Sequence, residues 1–142
     1  MFNKKAISSI RILPNDKITF GTEEEFRFFV QKTMKQRGGY YYFPNSMMRC
    51  PDNTLVLFQY DGKIRAVGIL LSAQKTPCED EQGNQYAGYY IFDVTTLHYL
   101  GNPIDAKALR NCYPNFFAFN QCKQCLPLEH LDLLCKLLEE AY

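Results

Sequence analysis

The clearest pattern of apolar and polar positions lies in the middle of the chain and predicts a β-hairpin. Residues 54–60 and 63–73 are two runs rich in branched and aromatic side chains, and they flank the dipeptide Asp61-Gly62. This dipeptide favours a type I′ turn, whose positive φ angles match the twist of two antiparallel strands. We therefore expect two neighbouring strands of a sheet in this segment.

A second pattern has the period of an α-helix. Apolar residues recur at helical spacing and so share one face of the predicted helix; they are Phe26, Phe29, Val30 and Met34. Thr22 and Glu25 have the spacing of a capping box, in which the Thr22 hydroxyl accepts a hydrogen bond from the Glu25 amide. Gly38-Gly39 favours a helix end after Arg37.

The remaining elements are predicted from shorter signals. Residues 6–13 alternate weakly and stop at Pro14, as expected of a strand at a sheet edge, and residues 87–100 have the character of a strand. Asp105 can cap a short helix to about Cys112, and Pro127 opens a last helix to Ala141 whose leucine stripe packs on the sheet. No repeat or linker interrupts the chain, so we expect one α+β domain over residues 1–142.

Length and composition are those of an ordinary globular domain. The chain has 142 residues, of which 46% are hydrophobic and 22% charged, and this is enough to bury one core. Ten Tyr and eleven Phe without any Trp indicate either a bulky core or a surface with stacking platforms. The net charge of +1 gives no global attraction to polyanions, so any binding of nucleic acid needs a local patch.

The sequence shows neither an export signal nor a membrane span. Its N-terminal segment lacks a long apolar stretch with a small-residue cleavage site, and no apolar run approaches the roughly 20 residues that cross a bilayer. We therefore expect a cytoplasmic protein that does not bind membranes, in which the six cysteines stay reduced.

The residue types that catalysis requires are not arranged for it. The chain has two histidines, His98 and His130, in separate predicted elements, and it has no HxxxH motif, acidic dyad or phosphate-binding glycine loop. Cys122 and Cys125 form a CxxC pair, but a second ligand pair at a recognisable spacing is missing. We expect no catalytic residue, metal or cofactor; the alternative is a zinc or thiol-redox protein built on this pair.

An aromatic run with polar neighbours is the candidate binding feature. The run consists of Tyr40, Tyr41, Tyr42 and Phe43. Alternate side chains of an extended segment face opposite ways, so two rings can enter the core while two stay available to stack on a base or enclose a methyl group. Asn45 and Ser46 can read the polar edges of a base, and Arg37 and Arg49 can hold phosphates. The alternative is that the rings simply cover the open end of the sheet.

The order of these features resembles a known group of domains. The resemblance is carried by Arg37-Gly38-Gly39 and by the segments LVLFQYDGKI (55–64), GYYIFD (88–93), NPI (102–104) and PNFFAFNQCKQCL (114–126). Over about residues 37–140 the chain is similar to the PUA-like N-terminal domain that precedes HNH-type nuclease domains in some bacterial proteins. That domain belongs to the wider group that includes EVE, ASCH and YTH domains.

This resemblance implies a fold and a ligand. The fold is α+β, with a small, mixed, strongly curved or barrel-like β-sheet flanked by helices, and its pocket accepts a flipped or modified base. Matching positions would place Asn120, Gln121 and Lys123 around the ligand, together with the aromatic run, Asn45 and Ser46. The chain departs from the group in two ways, since residues 1–142 include no nuclease module and the Trp that is frequent in methyl-binding cages is absent.

Two functions follow from these observations. The first is a non-catalytic module that recognises a nucleobase, modified or plain, in single-stranded or duplex DNA or RNA, with a separately encoded nuclease as its expected partner. Tyr41, Phe43 and Asn45 would line its pocket, and Arg37, Arg49 and Lys123 would contact the backbone. The second is a protein-interaction or regulatory domain whose exposed aromatics form a homodimer or partner surface, without affinity for nucleic acid. The sequence leaves the choice of DNA or RNA and the oligomeric state open.

Overall fold

The structure, a computed structural model, describes residues 2–142. Its strands are β1 (Ser9–Asn15), β2 (Tyr40–Phe43), β3 (Thr54–Tyr60), β4 (Lys63–Gln74), β5 (Cys78–Glu79), β6 (Gln85–Tyr86), β7 (Gly88–Phe92), β8 (His98–Ile104) and β9 (Cys125–Leu126). Its α-helices are α1 (Glu23–Phe28), α2 (Met34–Gln36), α3 (Ala106–Leu109) and α4 (Leu131–Ala141). A π-helical segment, Phe29–Thr33, joins α1 to α2, and 3₁₀ turns occupy Lys4–Ala6 and Leu128–His130.

The predicted hairpin is confirmed and forms the centre of the main sheet. β3 and β4 pair antiparallel across Asp61 and Gly62, whose φ angles of 49° and 74° are those of a type I′ turn. The first half of β4 also pairs with β8, and its second half pairs with β7. Irregularities in all three ladders lie along β4 or opposite it, so the sheet bends there.

The main sheet contains seven strands in the order β2-β7-β4-β3-β1-β9, with β8 beside the first half of β4. Only β1 and β3 run parallel, so the sheet is mixed. Within residues 2–142 the end strands β2 and β9 do not pair with each other, and the sheet is therefore open. The predicted α+β class and curved mixed sheet are confirmed.

The predicted helix is confirmed at both ends. The Thr22 hydroxyl accepts a hydrogen bond from the Glu25 amide at 3.1 Å, and a Glu25 carboxylate oxygen accepts one from the Gly21 amide at 2.8 Å. Gly38 and Gly39 end the helical segment with φ angles of 68° and 95°. The π-helical segment between α1 and α2 was not predicted, because the apolar spacing is compatible with either helix type.

Other boundaries differ from those predicted. The first strand continues through Pro14 and pairs with β3 along its whole length, while β9 covers only Ile10 and Arg11 on the other side. Pro14 is tolerated because β9 does not extend beside it, so the N–H that proline lacks would have had no strand to bond with on that side. The predicted strand over residues 87–100 is two strands, separated where the Asp93 carboxylate accepts hydrogen bonds from the Thr95 amide and hydroxyl.

Two apolar clusters cover the two faces of the central strands. All seven residues of β3 are buried, as expected of a strand that is covered on both faces. One cluster includes Leu55 and Leu57 and is closed by α4, as predicted for that helix. The other includes Phe58 and is closed by Phe26 of α1 and by the aromatic side chains of β2 and β7. None of the helices among residues 2–142 has the length and apolarity needed to cross a bilayer.

Candidate functional site

A cleft of about 580 Å³ lies between the end of β1 and the edge strand β2. These strands are far apart in the order of the sheet, and its curvature brings them together. Their one described side-chain link is a hydrogen bond of 2.6 Å from the Tyr41 hydroxyl to Asn15 Oδ1. The π-helical segment, the segment after β2, the turn before β6 and the segment before β9 also contribute to the cleft wall.

The aromatic wall of the cleft follows from the alternation of side chains along β2. Phe43 is only 3% exposed, and the Tyr41 ring packs 5.7 Å from Phe29 and 5.8 Å from Tyr90. These side chains belong to the core and form the floor of the cleft. Tyr42 lies on the opposite face of β2 from Tyr41 and also lines the cleft. It stacks on Tyr86, with ring centroids 5.2 Å apart.

Buried polar groups hold the Tyr41 ring in place. Asn15 is 7% exposed, and its Nδ2 donates to the carbonyl oxygens of Leu13 and Gln59 at 3.0 and 3.1 Å. Burial raises the pKa of Tyr41, with a smaller contribution from Tyr90. Burial also raises the pKa of Tyr90 to about 12. Both phenols therefore keep their protons throughout the physiological range.

The two cations that line the cleft differ in their partners. Arg37 Nε donates to Glu81 Oε1 at 3.0 Å, and the guanidinium also lies 5.1 Å from the Tyr42 ring centroid. Lys123 Nζ lies 2.7 Å from Ser46 Oγ, and it makes no salt bridge among the described residues. Arg37 is therefore largely neutralised, while the charge of Lys123 is available to a ligand.

The carboxylates of the cleft are occupied by their own turns. Asp80 accepts hydrogen bonds from the amides of Gln82 and Asn84 at 2.9 and 3.0 Å, and from the Tyr86 hydroxyl at 3.2 Å. These bonds, with that from the Asn84 side chain foremost, lower the pKa of Asp80. Asp80 therefore shapes the turn before β6. The lining of the cleft is neutral overall, because it contains two carboxylates, Asp16 and Asp80, and two cations, Arg37 and Lys123.

Arg11 ties two sides of the cleft to each other. Its two terminal nitrogens donate to the carbonyl oxygens of Arg49 and Lys123, each at 2.8 Å. The segment that carries Asn45 and Ser46 is thereby joined to the segment that carries Lys123. A hydrogen-bonded guanidinium is a strong link, because the donor is charged.

Most residues predicted for the site line this cleft. They are Arg37, Tyr41, Tyr42, Phe43, Asn45, Ser46, Gln121 and Lys123. Three others lie outside its lining. Tyr40 packs on Tyr89 with a centroid distance of 5.0 Å, Arg49 is exposed, and the Asn120 carboxamide oxygen accepts the Cys122 amide at 2.7 Å.

The sequence did not point to the part of the cleft that β1 supplies. Residues 13–16, Thr19 and Phe20 line it, although they lie more than twenty positions before Tyr41. No local signal could have identified them, since the parallel pairing of β1 with β3 brings them there. The sequence could have indicated Tyr86 and Tyr90 as cleft residues, because they continue the aromatic pattern of the neighbouring strands.

The cysteine pair lies outside the lining of the cleft. Cys122 and Cys125 are both exposed, and Cys125 is in β9. Among residues 2–142, no three His, Cys, Asp or Glu side chains form a group that could hold a metal ion. The zinc alternative therefore lacks the further ligands that such a site needs.

The comparisons with known proteins give matches in structure alone. No family model and no curated protein sequence matches the chain. It is similar to ASCH from Zymomonas mobilis, with a TM-score of 0.59 and 11% identity over 91% of this chain and 95% of that chain. A tyrosine-to-phenylalanine variant of that protein gives a TM-score of 0.59 and 10% identity over 92% and 99% of the two chains. Rpa0253 from Rhodopseudomonas palustris gives 0.54 and 11% over 95% and 96%.

These matches cover nearly all of both chains, so the likeness extends over the whole described structure. At such low sequence identity they establish the fold and leave the ligand open. The chain therefore has the PUA-like fold of these ASCH structures, which confirms the resemblance predicted from its sequence.

Proposed function

We propose that this chain is a nucleic-acid-binding module that accepts one nucleobase, plain or modified, in the cleft between β1 and β2. The observation that carries the proposal is the combination of an aromatic, nearly neutral cleft with a lysine at its wall that lacks a carboxylate partner. Its volume of about 580 Å³ lies within the usual range of small-molecule sites. The fold shared with the ASCH structures is compatible with this function.

The character of the cleft favours a base over a phosphate. A base is planar and neutral, and stacking on an aromatic side chain stabilises it by about 1–3 kcal/mol. Tyr42 is half-buried, so one part of its ring is open to such contact. A phosphate would instead need several unpaired cations, and the Arg37 guanidinium is already bound to Glu81.

The backbone of the nucleic acid would lie outside the cleft, along the side that carries Lys123 and the exposed Arg49. If each of these two cations neutralises one phosphate of a single strand, the logarithm of affinity falls against the logarithm of salt concentration with a slope of about −1.4. Such a shallow slope is consistent with the net charge of +1.

Binding of labelled DNA and RNA oligonucleotides, single-stranded and duplex, with plain and methylated bases, tests the proposal by fluorescence anisotropy at several salt concentrations. We expect Lys123→Ala to weaken binding and to reduce the magnitude of the salt slope by about 0.7. Lys136→Ala is the matched control, because Lys136 is exposed on α4, which packs on the other face of the sheet. It removes the same charge and should leave the slope unchanged.

Tyr42→Ala tests the base itself, because it shortens a partly exposed ring that lines the cleft. We expect at least tenfold weaker binding, about 1.4 kcal/mol, with an unchanged salt slope. No binding by the unaltered protein at micromolar concentration in low salt would refute the proposed function.

A second function is favoured by one specific observation. Ile18 and Phe117 are 97% and 91% exposed, and they lie on the segments that also supply Thr19 and Gln121 to the cleft. Exposed apolar side chains of this kind can anchor a protein partner or a second copy. Sedimentation velocity would then show a dimer that Ile18→Ser combined with Phe117→Ser dissociates, and no salt-dependent affinity for oligonucleotides would be found.

A further inference from the structure

The floor of the cleft contains a side-chain amide whose orientation follows from its surroundings. Asn15 Nδ2 lies 3.0 Å from the carbonyl oxygen of Leu13 and 3.1 Å from that of Gln59. A carbonyl oxygen only accepts hydrogen bonds, so the amide nitrogen, which carries two N–H groups, has to face both of them. The flipped amide would place its oxygen against two acceptors. Asn15 Oδ1 therefore faces Tyr41.

This orientation decides what the Tyr41 hydroxyl can do. Tyr41 Oη lies 2.6 Å from Asn15 Oδ1, and because that oxygen only accepts, the hydroxyl must donate its proton to it. Burial raises the pKa of Tyr41, so the hydroxyl remains protonated at ordinary pH. A phenolic oxygen that has donated its single proton offers only lone pairs to any further partner.

A neighbouring carboxylate adds further hydrogen-bond acceptors to the cleft. Asp16 follows Asn15 directly and also lines the cleft; one of its oxygens accepts the Thr19 amide at 2.7 Å, and the remaining lone pairs are further acceptors. Lys123, the cation of the cleft that lacks a carboxylate partner, is held by Ser46 on another segment. Tyr41 and Asp16 therefore both offer acceptors to a ligand in the cleft.

We propose that the Tyr41 hydroxyl makes the cleft select adenine and cytosine, which carry an amino group at C6 or C4, over bases that carry a keto oxygen at the same position. The cleft tolerates one methyl substituent on that amino group but not two. This inference rests on the proposed function. An amino group with one methyl substituent keeps an N–H to donate, whereas a dimethylamino group keeps none. The keto oxygen of hypoxanthine or uracil would face another acceptor. The Phe20 and Phe29 rings line the cleft and give a single methyl group apolar surroundings.

The test measures binding of four short oligonucleotides that differ at one central base: adenine, N6-methyladenine, N6,N6-dimethyladenine and hypoxanthine. We expect the unaltered protein to bind the first two within about threefold of each other, and the last two about tenfold more weakly, as the loss of one hydrogen bond implies. We expect Tyr41→Phe to bind all four with similar, reduced affinity, because its ring keeps the shape and lacks the acceptor.

Tyr40→Phe is the matched control, since it removes the same atom from the preceding residue of β2, and Tyr40 lies outside the cleft lining and makes no side-chain hydrogen bond in the described structure. It should keep the preference for amino-bearing bases. Equal binding of all four bases by the unaltered protein would overturn the inference and leave the proposed function standing. A preference that survives in Tyr41→Phe would also overturn it. Failure to bind any of the four would overturn both.

The comparison within the unaltered protein does not depend on any variant. It therefore decides the inference even if Tyr41→Phe folds poorly, and circular dichroism of each variant identifies that case. The corresponding cytosine series, with N4-methyl and N4,N4-dimethyl substituents, should show the same loss at the second methyl group.

Discussion

Replacing Gly39 by alanine tests how β2 is attached beside the cleft. A Cβ at this position would lie 2.0 Å from the Phe92 carbonyl oxygen and 3.0 Å from its carbonyl carbon. The same two residues are joined by a hydrogen bond of 2.9 Å from the Phe92 amide to the Gly39 oxygen. The alanine can be accommodated only if the start of β2 moves away from β7.

Three contributions add up to the loss of stability expected for Gly39→Ala. The left-handed φ of 95° costs an alanine about 1 kcal/mol at Gly39. The contact with Phe92 requires a shift of about 1 Å or more, which adds about 1–3 kcal/mol of overpacking. Losing the hydrogen bond adds about 1 kcal/mol. We expect Gly39→Ala to lower the free energy of unfolding by about 3–5 kcal/mol.

Gly38→Ala is the control for the backbone term. Gly38 also has a left-handed φ, 68°, but a Cβ there would meet no atom within 4 Å, so only about 1 kcal/mol should be lost. Urea unfolding followed by circular dichroism measures both variants, and equal m-values would show that the unfolded states are comparable. If the two variants lose stability by the same amount, the packing of β2 against β7 described above is wrong.

Two further predictions concern single side chains. Asn15→Ala leaves the buried partners of three hydrogen bonds unsatisfied, so it should lower the free energy of unfolding in urea by about 2–3 kcal/mol. Asn45 is exposed in the same cleft, and Asn45→Ala should change this free energy by less than about 0.5 kcal/mol. Similar losses in the two variants would contradict the hydrogen bonds assigned to Asn15. Arg37 lowers the pKa of Glu81, so this carboxylate stabilises the protein above the pKa of the unfolded chain, about 4.3, and the contribution disappears as pH falls through the lower folded value. The difference in unfolding free energy between the unaltered protein and Glu81→Gln should be below about 1 kcal/mol at pH 7, because Glu81 is exposed. This difference should vanish once the pH lies below the folded value, and a difference that persists there would argue against the pair.

The sequence by itself determined the elements whose signals are local. The turn at Asp61 and Gly62 depends on two residues that adopt positive φ, and the start of α1 depends on Thr22 and an amide three positions later. Such interactions form between neighbours, so composition and spacing are enough to identify them. Alternation along β2 was likewise predictable, but which face would be buried was not.

Tertiary structure alone decided where the cleft lies and that the Tyr41 hydroxyl on its floor acts as a hydrogen-bond acceptor toward a ligand. Asn15 reaches Tyr41 because β1 pairs parallel to β3 and the sheet curves across the three strands β3, β4 and β7 before it reaches β2. The division of residues 87–100 into β7 and β8 also depends on β4, which pairs with each along a different half. Contacts between residues distant in the chain depend on the whole packing of the core, and no window of the sequence contains that information.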